Sequence, residues 1–173
     1  MAKPIISFLD KDLAPLSLLK FTSEEGAYSA ITADTESIHE TIYIANNFTK
    51  GSAASEDVFD ATACTLKIVA DDGTLNSPVV SEKWIHAKCV SNSDADFIQL
   101  GGTTDSETKL TVSAGDATRV ATISGAANDG DEAGTGNYNV AKVEMYARPD
   151  LNTTADGGKQ SYKFVFVYSY GAE

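Results

Sequence analysis

The chain has 173 residues, 42% of them apolar and 22% charged, with 25 acidic against 13 basic side chains and a formal net charge of −12. This balance is globular rather than disordered. It argues against a nucleic-acid partner, which needs a basic surface to release phosphate counterions. A chain of this length buries roughly 70% of its unfolded surface in one domain and needs no covalent staple, and no apolar run approaches the ~18 residues of a membrane span. The acidity itself keeps copies of the chain soluble and apart, with a basic partner surface or bound divalent cations as the other ways to use it.

The opening stretch carries Lys3 and an early apolar cluster, Ile5, Ile6, Phe8 and Leu9, before Asp10, Lys11 and Asp12 stop it. It is too short for a signal-peptide core and has no small-residue cleavage site, so synthesis in the cytoplasm without a signal sequence is expected. Residues 1–36 stand apart from 37–173: they hold two of the four prolines and the loose stretch Ser23-Glu-Glu-Gly-Ala-Tyr28. Two readings fit them, a first strand plus loop or an arm that docks on a neighbouring molecule, and Ile5, Phe8 and Leu9 are the interface candidates in the second.

Short segments rich in β-branched and aromatic residues then recur between Gly, Asp, Asn and Ser clusters, the pattern of strands and turns. They are Leu16–Phe21, Glu40–Ala45, Cys64–Val69 before the Asp71-Asp72-Gly73 turn, a short Val79-Val80 piece, Trp84–Val90, Phe97–Leu100 before Gly101-Gly102, Lys109–Val112, Arg119–Ile123, Val140–Tyr146 and Tyr162–Tyr170. The stretch 124–137 has four glycines in fourteen residues and reads as a turn-rich loop. These elements predict an all-β fold: an Ig-like antiparallel β-sandwich of about 8–10 strands with an extended N-terminal segment. In Val140–Arg148, Ala141, Val143 and Met145 take one face while Lys142, Glu144, Tyr146 and Arg148 take the other, as in a half-buried strand. The final strand is different. Tyr162, Phe164, Phe166, Tyr168 and Tyr170 share one phase and Val165 and Val167 the other, so both faces are apolar. It is predicted to lie at the centre of its sheet, with one face on the opposite sheet and the other under the N-terminal segment, a loop or another subunit.

No catalytic constellation is visible. Nucleophilic catalysis needs a base beside the nucleophile, and the two histidines, His39 and His86, offer none: three positions apart in a strand, His86 and Cys89 point to opposite faces. There is no G-x-S-x-G, H-E-x-x-H or phosphate loop. Asn128, Asp129, Asp131 and Glu132 have oxygen ligands at tight spacing, but Gly130 falls too early for an EF-hand and the closing bidentate Glu is missing; a flexible acidic loop is expected there, not a calcium site. Cys64 and Cys89 take the inward phase of their strands, a placement compatible with neighbours on paired strands: a bridge closing a loop of about 25 residues is one reading, and two reduced thiols, favoured without a secretion signal, the other. No metal or cofactor is expected. Trp84, out of phase with Ile85, Ala87 and Cys89, reads either as packed at the sandwich rim or as an interface anchor, and with nearby tyrosines it offers the alternative of a carbohydrate- or surface-binding module. Tyr170, at the end of the apolar strand, is the remaining interface candidate.

Three stretches taken together resemble a known class. Ile42-Tyr-Ile-Ala-Asn-Asn47, Val80-Ser-Glu-Lys-Trp-Ile-His-Ala-Lys88 with Phe97-Ile-Gln-Leu-Gly-Gly102, and Val143-Glu-Met-Tyr-Ala-Arg-Pro149 with Gly157-Gly-Lys-Gln-Ser-Tyr-Lys-Phe-Val-Phe-Val-Tyr-Ser-Tyr170 are similar in order and character to small Ig-like structural proteins encoded among the virion genes of tailed phages and phage-like particles. The resemblance covers about half the chain, and the Thr-, Asp- and Gly-rich segment after Pro149 departs from it. It implies a non-enzymatic virion component of capsid-decoration, neck, tail or baseplate-accessory type. Such a component docks in several copies on other virion structural proteins, self-associates in the particle, and has no nucleic-acid or membrane partner.

Overall fold

Alternation of β-branched and aromatic residues with polar ones draws the chain into two antiparallel sheets. The computed structural model describes residues 1–23, 31–132, 138–149 and 160–171. In chain order the elements are β1 (Ile6–Leu9), β2 (Glu40–Asn46), β3 (Thr62–Val69), a one-turn helix α1 (Pro78–Ser81), β4 (Ile85–Cys89), a 3₁₀ turn at Val90–Asn92, β5 (Ile98–Leu100), β6 (Leu110–Thr111), β7 (Val140–Ala147) and β8 (Lys163–Ser169). One sheet runs β1-β2-β7-β4-β5 and the other β6-β3-β8. Packed face to face and not closed into a barrel, they form a β-sandwich.

The core lies between the sheets. Ile42 and Ile44 of β2, Ala141, Val143 and Met145 of β7, and Ile85, Ala87 and Cys89 of β4 face Cys64, Leu66 and Ile68 of β3, and every one of these is essentially fully buried. The alternation in β7 is as the sequence indicates: Lys142 and Glu144 take the outer face, beside the cross-strand neighbours Tyr43 and Lys88. Both thiols are free and buried, but they are not on paired strands, since β3 and β4 belong to different sheets.

Three apolar segments that read as strands are something else. Leu16–Phe21 forms no strand; Leu16, Leu19 and Phe21 lie against the core as irregular chain. Val79 and Val80 are buried on α1, because Pro78 at the first helical position presets φ and Ser81 N–H closes the turn on the Ser77 carbonyl at 2.8 Å. Arg119–Ile123 keeps one isolated bridge, Ala61 to Ile123. Around it Arg119 ties its turn to the neighbouring loop through Asp116 at 2.6 Å and Asp60 at 2.7 Å. Gly101 shows why β5 ends where it does: at φ +98°, a Cβ there would meet the Val80 carbonyl oxygen at 2.3 Å.

The position of β8 corrects the sequence reading. The strand is at the end of its sheet, and the central strand is β3. It pairs with β3 from Lys163 opposite Val69 to Val167 opposite Thr65, and after a bulge Ser169 is opposite Thr62.

Residues 1–12 are not a detached arm. β1 pairs with β2 in register, Ile6 opposite Asn46 and Leu9 opposite Tyr43, and Leu9 is buried with Leu13, Ala45 and Phe48. At the end of β2 and beyond it, four buried asparagines fasten the loops. Asn46 donates to the carbonyls of Phe59 (3.0 Å) and Ile123 (3.3 Å) and accepts from Ile5 N–H (2.9 Å). Asn47, Asn128 and Asn139 also donate to backbone carbonyls of the loops around them. The stretch after Ser124 is thereby held down as far as Gly130, while 133–137 of the same stretch lie outside the described residues. Truncating Asn46 to Ala strips Ile5 N–H and the Phe59 carbonyl of side-chain partners in a dry site. The expected cost is about 1–3 kcal/mol, seen as a melting temperature lower by about 2–12 °C; an unchanged melting temperature contradicts this role.

Candidate functional site

Two surfaces are built from more than packing. The first is the flank where β1 and β8 lie over one another. The inward phase of β8 forms an aromatic ladder: Tyr162 and Phe164 meet edge-on at 5.2 Å, Phe166 and Tyr168 stack at 5.5 Å, and Tyr168 and Tyr170 follow at 6.2 Å. Phe8 of β1 meets Phe166 edge-on at 6.4 Å, Phe21 stacks on Tyr162 at 6.2 Å, and Phe59 lies against Tyr170 at 6.3 Å. Such pairs add about 0.5–1.5 kcal/mol each beyond the area they bury. Yet Phe164, Phe166 and Tyr168 all stay half-buried, although they point into the sandwich.

Beside the start of β8 is a groove of about 240 Å³ walled by Phe8, Leu16, Leu18, Leu19, Tyr162 and Phe164. The Tyr162 hydroxyl is buried there with no hydrogen-bond partner among the described residues. Burial, with the Glu40 charge adding, pushes this phenol well above the ordinary tyrosine value.

The second surface is the outer face of the five-stranded sheet. His86 and Tyr146 are directly opposed on β4 and β7, and their rings stack at 4.6 Å, 10° from parallel. His39 also stacks on Tyr146, at 4.7 Å and 10°, and Phe97 meets both rings edge-on. Lys88 lies 4.6 Å over the Phe97 ring and 3.4 Å from Glu144. His39 reaches this face because residues 34–38 dock along the end of β7: Ser37 N–H donates to the Ala147 carbonyl at 2.8 Å, Ala147 N–H donates to Ser37 Oγ at 2.9 Å, and Arg148 pairs with Asp34. The two histidines of the chain therefore meet on one tyrosine. Both stack on a ring, and no nucleophile with an adjacent base results. Burial, and then the Arg148 charge, holds the His86 imidazole below its ordinary value, with Glu36 acting the other way.

The thiols are equally unreactive in character. Burial pushes Cys64 up to about 12, and Cys89 is also raised by burial. Cys64 Sγ and Cys89 Sγ donate to the carbonyls of Ala61 (3.2 Å) and Ser113 (3.3 Å). Among the described residues no group of three or more His, Cys, Asp or Glu side chains is placed to hold a metal. In the acidic stretch, Asn128 is turned inward, donating to the Asn47 carbonyl at 2.7 Å and accepting from Gly130 N–H at 3.1 Å.

The sequence-based interface candidates are scattered. Ile5 is 58% exposed and Tyr170 44%; Phe8 is half-buried on Phe166. Leu9 and Trp84 belong to this chain's own core, and Trp84 is only 8% exposed, its Nε1–H donating to Glu82 at 3.0 Å. Its ring is thus covered and offers no platform to a sugar. Val167, 45% exposed, and Leu18, 64% exposed, join the exposed apolar set. No family model matches the chain, and no curated protein or solved structure matches it.

The histidine–tyrosine stack generates a pH dependence with a definite sign. Because folded His86 binds its proton less tightly than the ordinary value of 6.5, the unfolded chain takes up more protons as pH falls. The stabilising contribution is whole above that value and is lost as pH falls through the lowered, folded one. Going from about pH 7 to about pH 5 should therefore destabilise the native chain more than a His86→Phe variant, which keeps a stacked ring but no proton site. Identical acid dependence of the two melting curves counts against this.

Proposed function

We propose that this protein is a non-enzymatic structural component of a phage-like particle, docking in multiple copies onto other virion structural proteins as a decoration, neck or tail accessory. The observation that carries the proposal is the flank at β8. Among the described residues, a seven-residue strand ends its sheet without a neighbour, and its inward aromatics are only half-buried. An apolar, unpaired edge of that length is a template for association, and soluble proteins ordinarily blunt or cover it. The acidity of the chain complements this, since like-charged copies stay apart until a specific surface brings them together. The resemblance of the three sequence stretches to Ig-like virion proteins supplies the particle. The carbohydrate- or surface-binding alternative, built on Trp84 and nearby tyrosines, is less well supported, because Trp84 is buried.

Purified particles from a producing strain test this directly. Quantitative mass spectrometry should find the chain at a fixed copy number relative to the major capsid or tail protein, retained through a density gradient. A chain that remains wholly in the soluble fraction of a lysate whose particles are complete without it overturns the proposal.

A further inference from the structure

The two flanks of the sandwich are finished differently. On the side of β5 and β6, Gly101 and Thr108 exchange both backbone hydrogen bonds, at 3.1 and 2.7 Å, and tie the end of one sheet to the approach of the other. The strands there are also short, three residues in β5 and two in β6, which is one way to protect an edge. On the other flank β1 is closed by its own continuation: Pro15 bridges Leu9, and Leu16 N–H donates to the Phe8 carbonyl at 2.9 Å. Among the described residues, only β8 has neither device. Its backbone pairs with β3 alone among the described residues, and alternate peptide groups of a strand turn away from its partner, so about half of the groups in β8 face outward.

Chemistry along β8 says what fits beside it. From Gln160 to Tyr170 there is no carboxylate, in a chain whose net charge is −12, and the one charge is Lys163. A second acidic copy can approach this edge with little local repulsion. The strand is also complementary to itself. Turned antiparallel about Phe166, Val165 meets Val167 of the second copy on the outer face, Phe164 meets Tyr168 on the inner face, Phe166 meets its own counterpart, and Lys163 meets Ser169. Cross-strand pairs of this kind, aromatic with aromatic and β-branched with β-branched, are the ones that stabilise sheets. A neighbour in that position would also complete the burial of the three half-covered aromatics.

The geometry points to β8 as a twofold interface between two copies of this chain, paired antiparallel about Phe166 into one continuous six-stranded sheet, β6-β3-β8-β8-β3-β6. This deepens the multi-copy role proposed above and rests on it for its biological setting. An isologous contact of this type closes on itself and gives a dimer rather than a filament.

Sedimentation velocity over a concentration series, using the full chain, reads the association. The native chain is expected to pass from monomer to dimer. Val167→Asp places a carboxylate beside the axis in both copies and should weaken the dimer at least about tenfold; because Val167 is 45% exposed, the melting temperature at low concentration should stay where it is. Register is read by oxidative cross-linking. Residues 165 and 167 of opposite copies come within disulfide reach, so an equimolar mixture of Val165→Cys and Val167→Cys chains should cross-link well and either variant alone poorly. A native chain monomeric at all concentrations, a dimer indifferent to Val167→Asp, or cross-linking no better in the mixture than in the single variants overturns the interface. The two proposals fail separately. A monomer that is nevertheless built into particles removes the β8 pairing and leaves the structural role. A β8 dimer never found in particles keeps the pairing and removes the role.

Discussion

A sheet of five strands faces a sheet of three, and much of the molecule follows from that mismatch. At a strand spacing near 4.8 Å, five strands present an inner face about 24 Å wide and three cover about 14 Å of it. The remainder cannot be left to water, because the inner face of the five-stranded sheet is apolar and its residues, Ile42, Ile44, Ile85, Val143 and Met145 among them, are at or near zero accessibility. The cover comes from chain outside the strands. Val79 and Val80 arrive on α1, Val112 and Ile123 from the loops after β6, and Leu16, Leu19, Phe21 and Leu75 pack from the side. These segments bury apolar side chains without forming strands of their own, although Leu16, Val112 and Ile123 each donate a backbone hydrogen bond to Phe8, Cys64 and Ala61 respectively.

That division explains which parts of the fold were legible in the sequence. Alternating burial reports that a segment has one dry face; it does not report what its peptide groups pair with. For β2, β3, β4, β5, β7 and β8 the two coincide, and sequence and structure agree to within a residue or two. For Leu16–Phe21, Val79-Val80 and most of Arg119–Ile123 the face is dry because the segment caps the core, so a strand reading fails. The same limit explains β8. Apolar residues on both phases pointed to a central strand, but sheet order is set by long-range pairing that no local pattern records. Here the outer-phase valines sit among Thr65 and Lys67 of β3 on an open face, and the inner-phase aromatics fill only part of the flank.

The polar organisation was less legible still. Asn46 and Asn47 read as the end of a strand, and so they are, but their buried amides also fasten loops from distant parts of the chain. The stack of His39, Tyr146 and His86 requires β4 beside β7 and the docking of residues 34–38 on Ala147, neither of which has a sequence signature. What sequence did show was the character of these groups: few histidines, cysteines in phase with the core, and no motif pairing a nucleophile with a base. The structure places the histidines on a tyrosine and the thiols in the core, and its least-finished feature among the described residues is the main-chain edge at β8.

An open edge at β8 is therefore the physical claim on which the functional reading turns. Amide hydrogen exchange of the dilute, monomeric chain measures it residue by residue. The account predicts alternation through 163–169, with the amides that bond to β3 slow and those facing outward fast, and with the fast set slowing once the chain associates. Uniform slow exchange along the whole strand in the dilute monomer would mean that the edge is already paired within the chain, and would contradict the account.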